Sequence, residues 1–304
     1  MTVHKPVLSK EVLDYLNPLP GKNFIDCTFG SGGHSSLILE KISPAIALAK
    51  AGNLLAIDAN QDVRELNKFK NKKNFKLIIN NFVNLKQIVK TRKGLNGISG
   101  VLIDLGLSSD QLEKSGKGFS FQKDEPLDMR FGIDQNLTAA DILNSYSLEN
   151  LYNILKNYGG YARANHLSKI IFKQRKLKKF VTTNDLLDVI EQVEPRTWSH
   201  KIHPATKIFQ ALRIEVNNEL NNLQEVLPQA IDILQTGGRL VVIAFHSGED
   251  RIVKNYFRDN GRDENKILNI LTKKPVTPSD EEIKNNPRSR SAKMRCAEKI
   301  SKNK

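Results

Sequence analysis

Cysteine is scarce in this chain of 304 residues, which contains only Cys27 and Cys296. The two lie far apart, and neither belongs to a CxxC pair. This spacing argues against a cysteine zinc site and against a disulfide framework, and it is typical of proteins from a reducing compartment. We therefore expect neither a bound metal nor a covalent scaffold.

Long apolar runs are lacking as well. No stretch approaches the roughly 18 consecutive apolar residues that a membrane-spanning helix needs. The first residues, MTVHKPVLSKEV, carry charges and a proline where a signal peptide has its apolar segment. These features predict a soluble cytoplasmic protein that does not associate with membranes.

Acidic residues are outnumbered, with 33 Asp and Glu against 47 Lys and Arg and a net charge of +14. Such an excess of positive charge attracts polyanions and favours a nucleic-acid partner. A general lysine-rich bias gives the same composition, so charge alone leaves both interpretations open. The hydrophobic content of 39% is sufficient for one large or two modest domains.

Strand and helix patterns alternate in the first third of the chain, with strands expected at 75–80 and 97–106. From 109 to 204 the strand signals stop and helical periodicity takes over, with helix-start residues at Thr138, Ser147 and Thr183. A long amphipathic helix is expected over 204–234, ended by TGG, and the strand RLVVIAF then resumes the alternation. The pattern predicts a doubly wound, mostly parallel α/β domain (1–108 and 205–304) carrying an inserted all-helical domain (109–204).

The segment FIDCTFGSGGHSSLILEKI, followed by LLAIDAN, has the pattern of strand, glycine-rich turn, helix and second strand ending in an acid. Gly30, Gly32 and Gly33 allow a tight turn and close approach of the backbone to a ligand. Asp58 stands where an acid accepts hydrogen bonds from ribose hydroxyls. The glycines alone fit a nicotinamide cofactor, S-adenosylmethionine or a plain structural turn.

Polar residues follow the other strands at corresponding positions. Asp26, Asp104 and His246 all fall at predicted carboxyl ends, where a doubly wound sheet binds its ligand. The TGxxxGxG turn and the serine of the short-chain dehydrogenases are missing, which disfavours a nicotinamide cofactor. The sequence after the fourth strand, DLGLSS, also lacks the prolines and the aromatic residue that enzymes methylating amino groups of DNA bases usually place there.

Several long segments together resemble one known family. They are HKPVLSKEVLDYL, DCTFGSGGHSSLIL, LLAIDAN, VLIDLGLSSDQLEKSGKGFSF, PLDMRF, HPATKIFQALRIEVNNEL, GGRLVVIAFHSGEDRIVK and NPRSRSAKMRCAEK. These segments look like those of the MraW (RsmH) family, bacterial methyltransferases that act on cytosine N4 in small-subunit ribosomal RNA. The resemblance extends from His4 to about Lys299.

This resemblance implies a class I, Rossmann-like methyltransferase that depends on S-adenosylmethionine. It implies a target cytidine in the decoding region of 16S rRNA, expected within the 30S subunit, and leaves open whether the enzyme is a monomer or a homodimer. Carried over by motif position, the cofactor-binding residues are Gly32, Gly33, His34, Asp58, Phe82, Asp104 and Gln111. Each of three residues has an alternative role. His34 could be a helix cap, Phe82 a core residue and Gln111 an ordinary surface amide.

Methylation of cytosine N4 needs hydrogen-bond acceptors facing the amine, because its lone pair is delocalised into the ring. The catalytic candidates are Asp104, Ser108, Ser109 and His246. Phe119 and Phe121 are candidates for stacking on the target base, or else anchors of their loop. Neither cysteine is placed to attack the pyrimidine ring, which disfavours methylation at C5.

RNA contacts are expected from two basic segments. One is KQRKLKK (173–179), and the other contributes Arg288, Arg290, Lys293 and Arg295. A charge run of this kind is also compatible with an ordinary solvated helix face. A noncatalytic ribosome-assembly factor that kept the fold remains an alternative to an enzyme, although the intact glycine turn, Asp58 and Asp104 favour cofactor binding.

Overall fold

The computed structural model describes residues 6–43, 51–66, 68–92, 95–107, 112, 115–132, 135–195, 203–262, 264 and 266–301. The chain divides into two compact units, Met1–Leu107 with Leu220–Lys304 and Ser108–Glu219. In chain order the elements are α1 (Ser9–Leu16), β1 (Asn23–Asp26), α2 (Gly33–Ile42), β2 (Leu54–Asp58), α3 (Val63–Leu66), β3 (Phe75–Ile79), α4 (Leu85–Lys90), β4 (Ile98–Asp104), α5 (Ala139–Ser145), α6 (Leu148–Asn157), α7 (Ala164–Gln174), α8 (Thr183–Val193), α9 (Pro204–Asn217), α10 (Glu219–Ile233), β5 (Leu234–Ala244), α11 (Ser247–Asn260), β6 (Leu268–Ile270), α12 (Asp280–Asn285) and β7 (Lys293–Lys299).

The first unit is built on a seven-stranded sheet of order β3-β2-β1-β4-β5-β7-β6. Strands β1 to β5 run parallel, whereas β7 lies antiparallel between β5 and β6. The chain proceeds outward from β1 to β3 on one side and from β4 to β5 on the other, so its direction reverses between β1 and β4. The prediction of a doubly wound, mostly parallel α/β sheet is confirmed.

Alternate residues of the central strands supply the two cores of this unit. Ile25, Leu55 and Val242 belong to a buried cluster that includes residues of α4, α10 and α11. Their neighbours in sequence, Phe24 and Leu54, belong to a second cluster that includes residues of α1, α2 and β7. Since successive strand residues point to opposite faces, helices cover the sheet on both sides. In the described part of the chain, no helix is long and apolar enough to cross a membrane.

The second unit contains helices α5 to α9. Thr138 and Ser147 cap α5 and α6 as predicted, since each side chain accepts a hydrogen bond from a backbone N–H three residues later. For α8 the predicted cap is displaced by one residue. Thr182 is the N-cap, while Thr183 is the first helical residue and is fully buried.

The prediction of a single helix over 204–234 is wrong. Asn218 adopts a left-handed conformation (φ 51°) and ends α9, and α10 begins at the next residue. Asparagine tolerates this conformation better than most residues, and the apolar periodicity continues across the break. The two units divide after Glu219, so α9 lies in the second unit, whereas the predicted boundary follows residue 204.

The strand after this helix begins earlier than RLVVIAF. Leu234 already pairs with Ile98, and the register then shifts so that Gly100 pairs with Arg239. The predicted terminator TGG therefore lies inside β5, in the exposed segment 235–237 and the glycine after it. Gly237 has a φ of 79°, which suits an irregular strand segment of this kind.

Candidate active site

Four of the residues singled out from the sequence follow strands whose carboxyl ends meet at one edge of the sheet. Asp26, Asp58 and Asp104 are the last residues of β1, β2 and β4. His246 lies just beyond the end of β5. Because the chain direction reverses between β1 and β4, this edge is the crevice in which doubly wound sheets bind ligands.

The glycine turn between β1 and α2 is closely packed. Gly32 has a φ of 75°, and a Cβ there would lie 2.9 Å from Cζ of Phe29. A Cβ on Gly33 would lie 3.2 Å from the Pro6 side chain. Phe29 also packs against Phe69, with ring centroids 6.4 Å apart. Gly32 is therefore required both by its backbone conformation and by the aromatic side chains behind the turn.

Asp58 connects the second strand to this turn. Its Oδ2 accepts a hydrogen bond from the Gly30 N–H at 2.7 Å, and its Oδ1 accepts one from the Asn60 N–H at 2.8 Å. Burial raises the pKa of Asp58 to about 6, although the two backbone hydrogen bonds oppose the shift. Each carboxylate oxygen has capacity to accept a further hydrogen bond.

Asp26, which was noted from the sequence only as a strand end, anchors the same turn from below. Its Oδ2 accepts a hydrogen bond from the Ser35 hydroxyl at 2.7 Å, and its Oδ1 accepts one from the Thr28 N–H at 3.1 Å. Asp26 is 1% exposed, and Ser35 is fully buried. Burial raises the pKa of Asp26, while the Ser35 hydrogen bond lowers it. This arrangement fixes the start of the turn to the first turn of α2.

His34 and Asp104 face each other at the crevice. His34 Nε2 lies 3.5 Å from Asp104 Oδ2, and the two side chains are 6% and 24% exposed. Among the residues that the structure describes, no group forms a hydrogen bond with either ring nitrogen of His34 or with Oδ1 of Asp104. Buried polar atoms without partners are rare in folded proteins and point to a ligand or an ordered water.

Phe82 follows β3 in a short 3₁₀ helix, Phe82–Asn84. The register places Ile79 of β3 beside Asp58, and the Asn80 N–H donates to the Asp58 carbonyl at 2.8 Å. The Phe82 side chain is half-buried and packs on the core cluster that contains Leu85. Phe82 therefore makes the core contact that the alternative interpretation expects, and it also follows the strand that lies beside the one ending in Asp58.

His246 is held by the helix that it precedes. Its Nε2 lies 3.2 Å from Glu249 Oε1, and the other Glu249 oxygen accepts a hydrogen bond from the Phe245 N–H at 2.8 Å. Glu249 is 2% exposed. The histidine therefore stands at the predicted edge beside the first turn of α11, and its buried Nε2, like the ring nitrogens of His34, completes no hydrogen bond among the described residues. Ser108, Ser109 and Gln111, the remaining predicted site residues, lie outside the described residues.

In the second unit the two phenylalanines of GFSF differ in environment. Phe119 is 8% exposed and stacks on Phe131, with ring centroids 5.7 Å apart. Phe121 is half-buried, and its ring lies 4.8 Å from that of His203 at an angle of 30°. His203 Nδ1 accepts a hydrogen bond from the Ala205 N–H and so caps α9. Phe119 is an anchor of its loop, as the alternative interpretation expects.

Some of the basic groups expected to contact RNA are used inside the protein. Arg295 is 7% exposed and forms a two-pronged ion pair with Asp250, at 2.6 and 3.2 Å. Arg175 donates to the carbonyl of Tyr146 at 2.6 Å. Arg288 and Arg290 are exposed in a 3₁₀ helix. The prediction of an RNA contact is therefore corrected for Arg295, whose guanidinium group is buried within the fold, whereas Arg175 is half-buried and its RNA contact stays a prediction.

Known proteins match this chain over nearly its whole length. The model of the MraW methylase family matches residues 1–300. A ribosomal RNA small subunit methyltransferase H from Dictyoglomus thermophilum is 48% identical over 302 residues, which cover 98% of this chain and 97% of the relative. Proteins of the same name from Sulfurihydrogenibium sp. and Persephonella marina are 45% and 43% identical, each covering 99% of this chain and 100% of the relative.

Proposed function

Because the chain belongs to the MraW methylase family, we propose that it methylates N4 of a cytidine in the decoding region of 16S ribosomal RNA. Membership confirms the predicted class of enzyme, a methyltransferase that depends on S-adenosylmethionine. The substrate follows from the relatives, which are named small-subunit ribosomal RNA methyltransferases and resemble this chain over nearly its whole length. The choice of N4 and of the decoding region is the finer part of the proposal.

The residues at the strand ends fit the cofactor. Asp58 keeps acceptor capacity for ribose hydroxyls after binding Gly30 and Asn60. The turn at Gly32 and Gly33 gives a backbone without side chains at the N-terminus of α2, and His34 contributes ring nitrogens without a hydrogen-bond partner in the described structure. We assign the ribose to Asp58, the methionine end to Gly32, Gly33 and His34, and a place beside the adenine to Phe82. The cofactor supplies a methyl group on a sulfonium, which is transferred to a nucleophile.

The Asp104 carboxylate carries the proposal that the nucleophile is an amine. Its Oδ1 is shielded from solvent and has no hydrogen-bond partner among the described residues, while its Oδ2 faces His34. A carboxylate at the crevice accepts a hydrogen bond from an exocyclic N–H, which orients the amine and stabilises the positive charge that develops on it. When the N–CH₃ bond has formed, the surplus proton leaves the nitrogen towards this carboxylate or towards water.

The environment of the cysteines argues against the competing reaction at ring carbon C5, which needs a thiolate nucleophile. Burial raises the pKa of Cys27 well above its usual range. It raises that of Cys296 to about 12. Both thiols are at most 1% exposed, so neither side chain is available as a nucleophile near neutral pH.

The second unit carries a row of basic residues suited to an RNA backbone, and we assign substrate recognition to this unit. His166, Lys169, Lys173 and Lys176 are exposed along and just beyond α7 at spacings of three and four residues, and we call them the basic ridge. Such spacing places side chains on one helix face. Leu177, next to the ridge, is 84% exposed. Lys178 is instead paired with Asp185 at 2.6 Å.

The experiment that tests the proposal is transfer of labelled methyl from S-adenosylmethionine to isolated 30S subunits and to free 16S rRNA. Nuclease digestion and mass analysis of the nucleosides identify the product. We expect N4-methylcytidine from 30S subunits. A labelled 5-methylcytidine or 2′-O-methyl nucleoside would contradict the choice of N4, and tight cofactor binding without transfer to either substrate would favour a noncatalytic assembly factor.

A further inference from the structure

The hydrogen bonding between β1 and β4 changes from backbone to side chain at the crevice. The Cys27 N–H donates to the Leu102 carbonyl at 2.9 Å, which continues the parallel ladder one residue beyond β1. In a regular parallel ladder the next N–H of β4, that of Asp104, would donate to the carbonyl of residue 27. Instead it donates to the Thr28 hydroxyl oxygen at 2.7 Å. A side chain thus takes the place of the strand where β1 turns away into the glycine loop.

Thr28 is itself held in place by Asp26. Its N–H donates to Asp26 Oδ1 at 3.1 Å, and its hydroxyl faces the same oxygen at 3.4 Å. The other Asp26 oxygen accepts the Ser35 hydroxyl. Because Asp26 and Ser35 are buried, the Thr28 oxygen is held at the end of a rigid chain of hydrogen bonds. The hydroxyl at position 28 accepts from Asp104 and can donate to Asp26 at once, which the isosteric side chain of valine cannot do.

From this geometry we infer that Thr28 is a positioning residue for methyl transfer. Its hydroxyl fixes the backbone of Asp104 and thereby the direction in which the Asp104 carboxylate faces the crevice. The inference rests on the proposed role of Asp104 with the target amine. Displacement of a catalytic group by about 1 Å can lower a rate about 100-fold, so loss of this one hydrogen bond is expected to act mainly on the chemical step.

The test compares Thr28→Val, Thr28→Ala and Thr28→Ser with the unmodified protein on 30S subunits at saturating cofactor. Valine keeps the shape of threonine without the hydroxyl, and serine keeps the hydroxyl without the methyl group. We expect kcat to fall about 10- to 100-fold in the valine and alanine variants, with KM for the subunit unchanged. In the serine variant we expect kcat within about threefold of the unmodified protein.

Each other outcome has a defined meaning. A valine variant with full kcat, a serine variant as impaired as valine, or a loss of folding in both variants without the hydroxyl would overturn the inference, the last because Thr28 would then be structural. Asp104→Ala is measured beside them. If Asp104→Ala is impaired while Thr28→Val is not, only the positioning role fails; if Asp104→Ala is fully active, the proposed role of Asp104 itself fails.

Discussion

The carboxyl of Asp58 makes cofactor binding depend on pH. Its pKa in the free protein is raised to about 6 by burial, and ribose hydroxyls are expected to donate to its ionised form. Binding then requires loss of a proton below pH 6. At pH 5 about ten in eleven molecules hold that proton, so the Kd for S-adenosylhomocysteine is expected to be about tenfold larger than at pH 7.5, a difference of about 1.4 kcal/mol.

Isothermal titration calorimetry between pH 5 and pH 7.5 measures this dependence. Asp58→Asn is the matched control, because the amide keeps the shape and one acceptor but has no proton to lose. We expect its affinity to be about 10- to 100-fold weaker at pH 7.5, as for loss of hydrogen bonds to a charged group, and to lack the step near pH 6. A step that persists in Asp58→Asn would refute the assignment of the pH dependence to Asp58.

The same pKa shift fixes the sign of a stability effect. The folded protein holds the Asp58 proton more tightly than the unfolded chain, whose carboxyl titrates near 3.8. The free energy of unfolding therefore falls as pH rises from about 4 to about 6, by about 3 kcal/mol for this group. Urea titrations at several pH values give the free energy of unfolding, and its decrease between about pH 4 and pH 6 should be about 3 kcal/mol larger in the unmodified protein than in Asp58→Asn. Equal slopes would contradict the raised pKa.

Three further predictions follow from the crevice and the second unit. Gly32→Ala is expected to destabilise the fold by about 1–3 kcal/mol and to weaken cofactor binding. Gly237→Ala is the control, because its φ of 79° is similar but no atom lies within 4 Å of its Cβ, so it should show the backbone strain without the loss of affinity. Equal cofactor affinities of the two variants would contradict the assignment of Gly32 to the cofactor site. Asp104→Ala should lower kcat at saturating cofactor about 100-fold or more, as measured by methyl transfer, and a turnover equal to that of the unmodified protein would remove Asp104 from the mechanism. Replacing the three lysines of the basic ridge by glutamine should reduce the slope of log K for RNA against log salt by about 2, whereas Lys156→Gln, a change of one exposed lysine on α6, should leave it unchanged; an unchanged slope in the triple variant would exclude the ridge from RNA binding.

Local patterns predicted the sheet and the strand-end acids, because strand periodicity and glycine turns are encoded by neighbouring residues. Asp58 and Asp104 could be placed at one edge for this reason, since parallel strands bring their carboxyl ends together. The long helix over 204–234 failed on the same ground. Its apolar periodicity continues through Asn218, and the left-handed residue that breaks the helix leaves no gap in the pattern.

Other features depend on pairing between distant segments. Arg295 looked like a surface cation in a basic tail, but β7 inserts between β5 and β6 and brings its side chain against Asp250, where it is buried. The link from Thr28 to Asp104 joins residues 76 positions apart. In the sequence Thr28 is only a hydroxyl beside a glycine turn, so its role could be found only once β1 and β4 were seen to separate there.

The identity and position of the transferred methyl group test the central claim most directly. Labelled 16S rRNA, recovered from 30S subunits after reaction with the protein, is cut into fragments and each labelled fragment is analysed by mass. On this claim we expect one N4-methylcytidine, in a fragment from the decoding region, and its loss in Asp104→Ala. A methyl group on a ring carbon, on a ribose oxygen or in a fragment from elsewhere in the subunit would contradict it.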